Sequence, residues 1–141
     1  MKKKVFIVAI TGMILFPIQT FSHEPFSEKP SKEFTLQLNE YSFNPKQVTL
    51  PLGENVELTL ENRGTVMHEF ITDAFKDFTL DIVINGVITE ALGITELEIP
   101  PGASVQLLFT PAKKGNFPFF CESKEPKNHL KEGMQGNLVF Q

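Results

Sequence analysis

Between position 33 and the C-terminus, apolar residues recur at every second place in short runs broken by turn signals. Phe34, Leu36 and Leu38 alternate with polar neighbours. So do Val56, Leu58 and Leu60; Leu80, Ile82 and Ile84 recur at the same period up to Asn85, and Val105, Leu107 and Phe109 mark another strand. A period of two sends successive side chains to opposite faces of an extended strand, one face towards a core and one towards water. Asn85-Gly86, set between two such runs, is the strongest short hairpin signal. Pro51-Leu52-Gly53, Asn62-Arg63-Gly64, Pro100-Pro101-Gly102 and residues 111–115 punctuate the rest. Val48 with Leu50, residues 66–71, residues 87–92, Phe117-x-Phe119-x-Cys121 and residues 136–141 supply further extended segments. No long helical period is visible, and the best helical candidate is a turn or two at residues 73–78. Eight or so short strands at this spacing predict an all-β domain, an antiparallel β-sandwich or barrel. Fourteen Phe and no Trp suit an aromatic core.

The first 22 residues read differently. Lys2, Lys3 and Lys4 precede an apolar run over residues 5–18, and Thr20-Phe21-Ser22 offers small residues at a cleavage site. This is the layout of a secretory signal peptide. The run is short for a membrane span, which needs about 20 apolar residues. No stable membrane insertion is therefore expected after cleavage. No Cys lies near the cleavage point, so a lipid anchor is not expected. Residues 23–32 are a polar, Pro-containing lead-in, and residues 33–141 form the domain. Loss of the leader takes three lysines and no acid, moving the net charge from −4 to −7. That balance is a poor match for nucleic acid. The expected location is periplasmic or extracellular.

The chain has one Cys. An exported protein with a single thiol cannot form an internal disulfide, so the thiol needs another use. Cys121, His129 and Met134 fall within fourteen residues, in one loop between two predicted strands. His68 ends an apolar approach far upstream. Taken singly, His68 is an ordinary core histidine, His129 a surface residue and Met134 packing. Together, a thiolate, two imidazoles and a thioether make the trigonal set with a weak axial ligand that suits copper. Structural zinc takes four strong ligands, and Met is not among them. Met67 points away from His68 by strand alternation.

These residues resemble the cupredoxins, the small blue copper proteins that include plastocyanin and azurin. The resemblance covers nearly all of residues 33–141. It rests on Met67-His68-Glu69-Phe70, Phe117-x-Phe119-x-Cys121, His129-x4-Met134 and Gly136, with Pro100-Pro101-Gly102 and residues 105–110 resembling the strand before the Cys. It implies a Greek-key fold and one copper ion held by His68, Cys121, His129 and an axial Met134. Two departures stand out. Seven residues separate Cys121 from His129, more than in the best-known members, and Glu122, Lys124, Glu125 and Lys127 crowd that gap. Glu69 follows His68 where members often have Asn. The resemblance implies that the Glu69 N–H points at the thiolate sulfur. The Glu side chain predicts a rearranged link between the two ligand segments. Phe117 and Phe119 are expected beneath the site. The second His is solvent-near in the family, and here its surroundings should be polar.

The leading expectation is a monomeric, exported electron carrier whose copper alternates between Cu(I) and Cu(II). Its partner would be a cytochrome, an oxidase or a copper enzyme. The alternative is a copper carrier or buffer that delivers the ion to an oxidase or copper enzyme. A catalytic role is not expected, because a second copper centre needs more His than the chain offers. No paired carboxylates, nucleophile elbow or phosphate loop is present. His23 would become the N-terminal residue after cleavage, and its amine and imidazole suggest a second Cu(II) site.

Overall fold

The computed structural model describes residues 29–141. The expected signal segment, His23 and most of the expected lead-in lie outside the described residues. Nine strands follow: β1 (Lys32–Asn39), β2 (Ser42–Asn44), β3 (Gln47–Leu50), β4 (Val56–Asn62), β5 (His68–Ile84), β6 (Val87–Ile99), β7 (Ser104–Phe109), β8 (Gly115–Phe120) and β9 (Gln135–Phe140). No helix occurs among the described residues, and so none long and apolar enough to cross a membrane.

The strands form one sheet in the order β2-β1-β4-β7-β5-β8-β9-β3, with β6 paired to β5 alone. The two ends of this path, β2 and β3, are separated in the chain only by Pro45 and Lys46. A sheet whose opposite edges are joined by so short a link has to curl round on itself, so the architecture is a nearly closed barrel. Most pairs are antiparallel, but β1 runs parallel to β4 and β3 parallel to β9. Alternation in a sequence shows which face a strand buries and says nothing of its partner's direction. These two parallel pairs are where the chain crosses from one side of the barrel to the other.

Alternation fills the interior as expected. Leu36 and Leu38 of β1, Val56, Leu58 and Leu60 of β4, Val105, Leu107 and Phe109 of β7, and Leu138 and Phe140 of β9 are all buried. Fully burying one such side chain contributes about 1.5–3 kcal/mol. The aromatic rings fall into two groups. Phe43, Phe70 and Phe119 pack at centroid distances of 4.9–6.3 Å. At the other end, Phe75, Phe109, Phe140 and Phe117 form a chain of contacts. Phe117 therefore packs on Phe140, away from the loop after β8, while Phe119 alone takes the place expected of both.

Residues 73–78 are not helical. They lie within β5, where Ile71 and Phe75 face Glu96 and Ile94 of β6, and Thr79 faces Leu92. The longer strand bulges twice against the shorter. Ala74 and Phe75 are consecutive and both buried, which breaks the period of two and imitates a helical spacing. Gly93, at φ 70°, sits opposite these bulges. Beyond them the hairpin closes on Asn85 (φ 53°) and Gly86 (φ 79°), the two left-handed residues of a type I′ turn. Its tip leaves the barrel, so Ile84, Val87, Ile88 and Leu92 are exposed.

Candidate metal centre

His68 opens β5, Cys121 follows β8 directly, and Met134 precedes β9. All three, with His129, are fully buried at one end of the barrel. Met67 is exposed, whereas His68 is buried.

The segment leading to His68 is set by Asn62. Its amide nitrogen donates to the carbonyls of Val66 (2.9 Å) and Ile99 (2.8 Å), and its amide oxygen accepts from Gly64 N–H (2.9 Å). A buried side chain with three bonds to backbone fixes both the turn before β5 and the end of β6. Asn62→Ala takes its partner from the Ile99 carbonyl in a buried bond, and from the Val66 carbonyl and the Gly64 N–H in half-buried ones, at about 1–3 kcal/mol for a buried group left unsatisfied. We expect a fall in stability of at least about 2 kcal/mol, read from the urea midpoint of the metal-free protein.

The long loop is stitched shut on itself. His129 N–H donates to Ser123 C=O (2.9 Å), Met134 N–H to His129 C=O (3.0 Å), and Cys121 N–H to Met134 C=O (3.2 Å). The Asn128 side chain accepts from Lys131 N–H at 2.9 Å. These bonds draw Cys121, His129 and Met134 together despite the seven-residue gap. Loop-closure entropy grows slowly with length, so the extra residues cost little.

The ligand-type atoms of His68, Cys121 and His129 all lie within 4.8 Å of one another. His129 Nδ1 is 3.2 Å from His68 Nδ1 and 3.2 Å from Cys121 Sγ. On its other side, His129 Nε2 donates to the Glu125 carbonyl at 3.1 Å. A carbonyl only accepts, so that contact places the proton on Nε2 and leaves a lone pair on Nδ1. This lone pair, the facing Nδ1 of His68 and the thiol sulfur are crowded into a dry pocket. A cation bound among them would satisfy all three. Sulfur with two imidazoles is a donor set suited to copper.

Burial pushes the Cys121 thiol above its ordinary pKa, and the Glu69 charge adds to this, while the Glu69 and Ser123 N–H groups pull the other way. Burial, and then His129, hold His68 below its ordinary 6.5, against the opposing pull of Glu40. The unfolded chain thus takes a proton at His68 near its ordinary value and the folded chain does not. Stability present above that value is lost as pH falls towards the lower folded one. In urea titrations of the metal-free protein, the midpoint should drop between pH 7.5 and pH 5, and His68→Leu should flatten that slope.

Glu69 makes the rearranged link. Its N–H donates to Cys121 Sγ at 3.3 Å, and its carboxylate accepts from Glu122 N–H at 3.0 Å. The side chain thus ties the residue after the histidine to the residue after the cysteine. His129 is less open than expected. Tyr41, in the turn between β1 and β2, sets its ring edge-on to the imidazole at 5.1 Å, and Lys127 Nζ stands 5.2 Å from the Tyr41 ring centre. The sequence marks Asn62 only as part of a turn, and Tyr41 not at all. An Asn before a Gly turn suggests a turn, and nothing local marks a Tyr as the neighbour of a distant His.

The cupredoxin-like domain model matches residues 7–139. No curated protein sequence matches the chain. Among solved structures, a multicopper oxidase from Campylobacter jejuni is similar at TM-score 0.58 and 19% identity, over 81% of this chain and 31% of that one. Dithionite-reduced auracyanin from Roseiflexus castenholzii is similar at TM-score 0.52 and 19% identity, over 80% of this chain and 99% of that one. Copper nitrite reductase from Nitrosomonas europaea is similar at TM-score 0.59 and 14% identity, over 81% of this chain and 50% of that one. The chain thus spans about a third of the oxidase and half of the reductase, but almost the whole of the auracyanin. At such identities these likenesses are of fold. The family match extends over nearly the full length, and the chain belongs to the cupredoxin-like family, with His68, Cys121 and His129 as its candidate type 1 copper site.

Proposed function

We propose that this protein is an exported one-electron carrier with a single type 1 copper, held by His68, Cys121 and His129 with Met134 as the weak axial ligand. The observation that carries the reading is the convergence of two imidazole nitrogens and one thiol sulfur in a fully buried pocket. Copper bound there would supply one-electron exchange between Cu(I) and Cu(II). Cys121 and Met134 favour the reduced ion, and the imidazoles accept either state. Glu69 N–H, aimed at the sulfur, stabilises the thiolate. The Glu69–Glu122 bond and the stitched loop hold the ligand segments still, so little moves when charge changes. Phe119, with Phe43 and Phe70, keeps water from the pocket floor.

The same burial favours electron exchange over copper delivery. Ligand exchange needs an open edge, and Tyr41 covers the His129 side. We assign residues 1–22 to a signal peptide, 23–32 to a lead-in and 33–141 to the copper domain, in the periplasm or outside the cell. The protein then acts as a monomer with a cytochrome, an oxidase or a copper enzyme as redox partner, and not itself as an enzyme. Addition of Cu(II) to the purified domain should give an intense visible thiolate-to-copper absorption and a reversible one-electron wave. Folded, copper-loaded protein without that band would overturn the reading.

A further inference from the structure

His68 Nε2 is buried and has no hydrogen-bond partner. A polar nitrogen sealed from water without a partner is costly. Beside it lies the space left by Gly64. A Cβ on that glycine would meet Glu40 Oε1 at 2.7 Å and His68 Nε2 at 2.8 Å. The carboxylate and the imidazole therefore face the same small gap, which only glycine leaves open.

Glu40 does not reach that gap by chance of rotation. Thr65 donates to its Oε1 from both the backbone N–H and, at 2.9 Å, the hydroxyl. These two donors hold the carboxylate beside the segment that enters β5. The electrostatics agree with the geometry, since each of Glu40 and His68 shifts the other towards its charged form. Tyr41, the next residue, packs on His129. One turn, between β1 and β2, thus places a residue next to each of the two imidazoles.

A carboxylate beside an imidazole nitrogen favours a proton on that nitrogen, because two lone pairs facing each other repel. With the proton on Nε2, the Nδ1 of His68 carries its lone pair inward, towards the Nδ1 of His129 at 3.2 Å, and the Glu40 charge has to outweigh the repulsion between those two lone pairs. His129 is already held in the same tautomer by the Glu125 carbonyl. We propose that Glu40 is the positioning residue for His68, accepting its Nε2–H across the Gly64 gap and so turning its Nδ1 lone pair towards Cys121 and His129. Histidines that bind metals commonly hand their other N–H to such a partner, and its loss costs about 10–100-fold in metal affinity. The effect on copper rests on the function proposed above. The proposed bond, between two groups that face one gap without yet meeting across it, involves no metal and can be tested without copper.

Nitrogen-15 NMR of the histidine rings in the metal-free protein at neutral pH should find His68 in the Nε2–H tautomer. Glu40→Gln should preserve it, because the amide oxygen still accepts. Glu40→Ala should give a mixed or Nδ1–H population. Thr65→Val removes one donor to Glu40 without touching the imidazole, and should leave the tautomer as in the wild type. By chelator competition, Glu40→Ala should weaken Cu(I) binding about 10–100-fold, and Glu40→Gln far less. A wild-type His68 in the Nδ1–H tautomer overturns the inference, as does Glu40→Ala with the tautomer unchanged. If the tautomer responds to Glu40 but the wild type binds no copper, the proposed function fails and the Glu40–His68 bond stands.

Discussion

Cys121→Ala should remove the visible absorption expected of the copper-loaded protein altogether, together with its reversible one-electron response. The band requires a sulfur donor bound to copper, and Cys121 is the chain's one cysteine. Its thiol is fully buried against His129 and capped by the Glu69 N–H. No other thiolate can take its place. The two imidazoles of the variant still bind Cu(II), but without the soft ligand that selects Cu(I). The fold should survive. Trading a buried thiol for a methyl leaves a small cavity, worth about 1 kcal/mol by the cost of removing buried volume. Circular dichroism of the metal-free variant should match the wild type while the copper chemistry is gone. A variant that keeps the band shows that the coloured centre lies elsewhere.

Gly136→Ala is the substitution expected to damage the fold most. Gly136 pairs with Phe119 across β8 and β9, directly before Asn137 bonds to the Lys46 carbonyl. A Cβ there would run into that Lys46 carbonyl oxygen and into two ring atoms of Phe119 at 2.5 Å. Neither obstacle yields cheaply, since one is backbone and the other a fully buried ring. The contact lies where β3 closes the barrel on β9, two residues from Met134. Overpacking typically costs about 1–3 kcal/mol and occasionally more, and this site belongs at or above the top of that range. The urea midpoint of the metal-free protein measures it. A loss under about 1 kcal/mol would mean that β3 can move away from β9 without cost.

The strands were legible because half-buried strands alternate, and β1, β4 and β9 do so, while β7 buries Leu108 along with Leu107 and Phe109. The Asn85-Gly86 turn was legible because few residue pairs accept two left-handed conformations. Residues 73–78 misled because a bulge inserts residues without changing composition, and adjacent buried Ala74 and Phe75 resemble one face of a helix. Strand direction was hidden because alternation is the same in parallel and antiparallel pairs. For the site, residue types in order were enough to bring His68, Cys121 and His129 to one place. Their surroundings were not readable. Glu40, Tyr41 and Asn62 act through contacts between segments far apart in the chain, and a carboxylate in a turn looks like any solvated charge. Glu69 was half readable: its departure from Asn signalled a changed link, but only the fold shows Glu122 N–H as the group it holds.

Tyr41 is the chain's one tyrosine, and there is no tryptophan. Almost all of the protein's ultraviolet emission therefore comes from a ring 5.1 Å from His129. A copper ion arriving at that imidazole lies close enough to drain the excited state. Filling of the site can then be followed as a fading of the protein's own light, ending at one equivalent of metal, with no label attached.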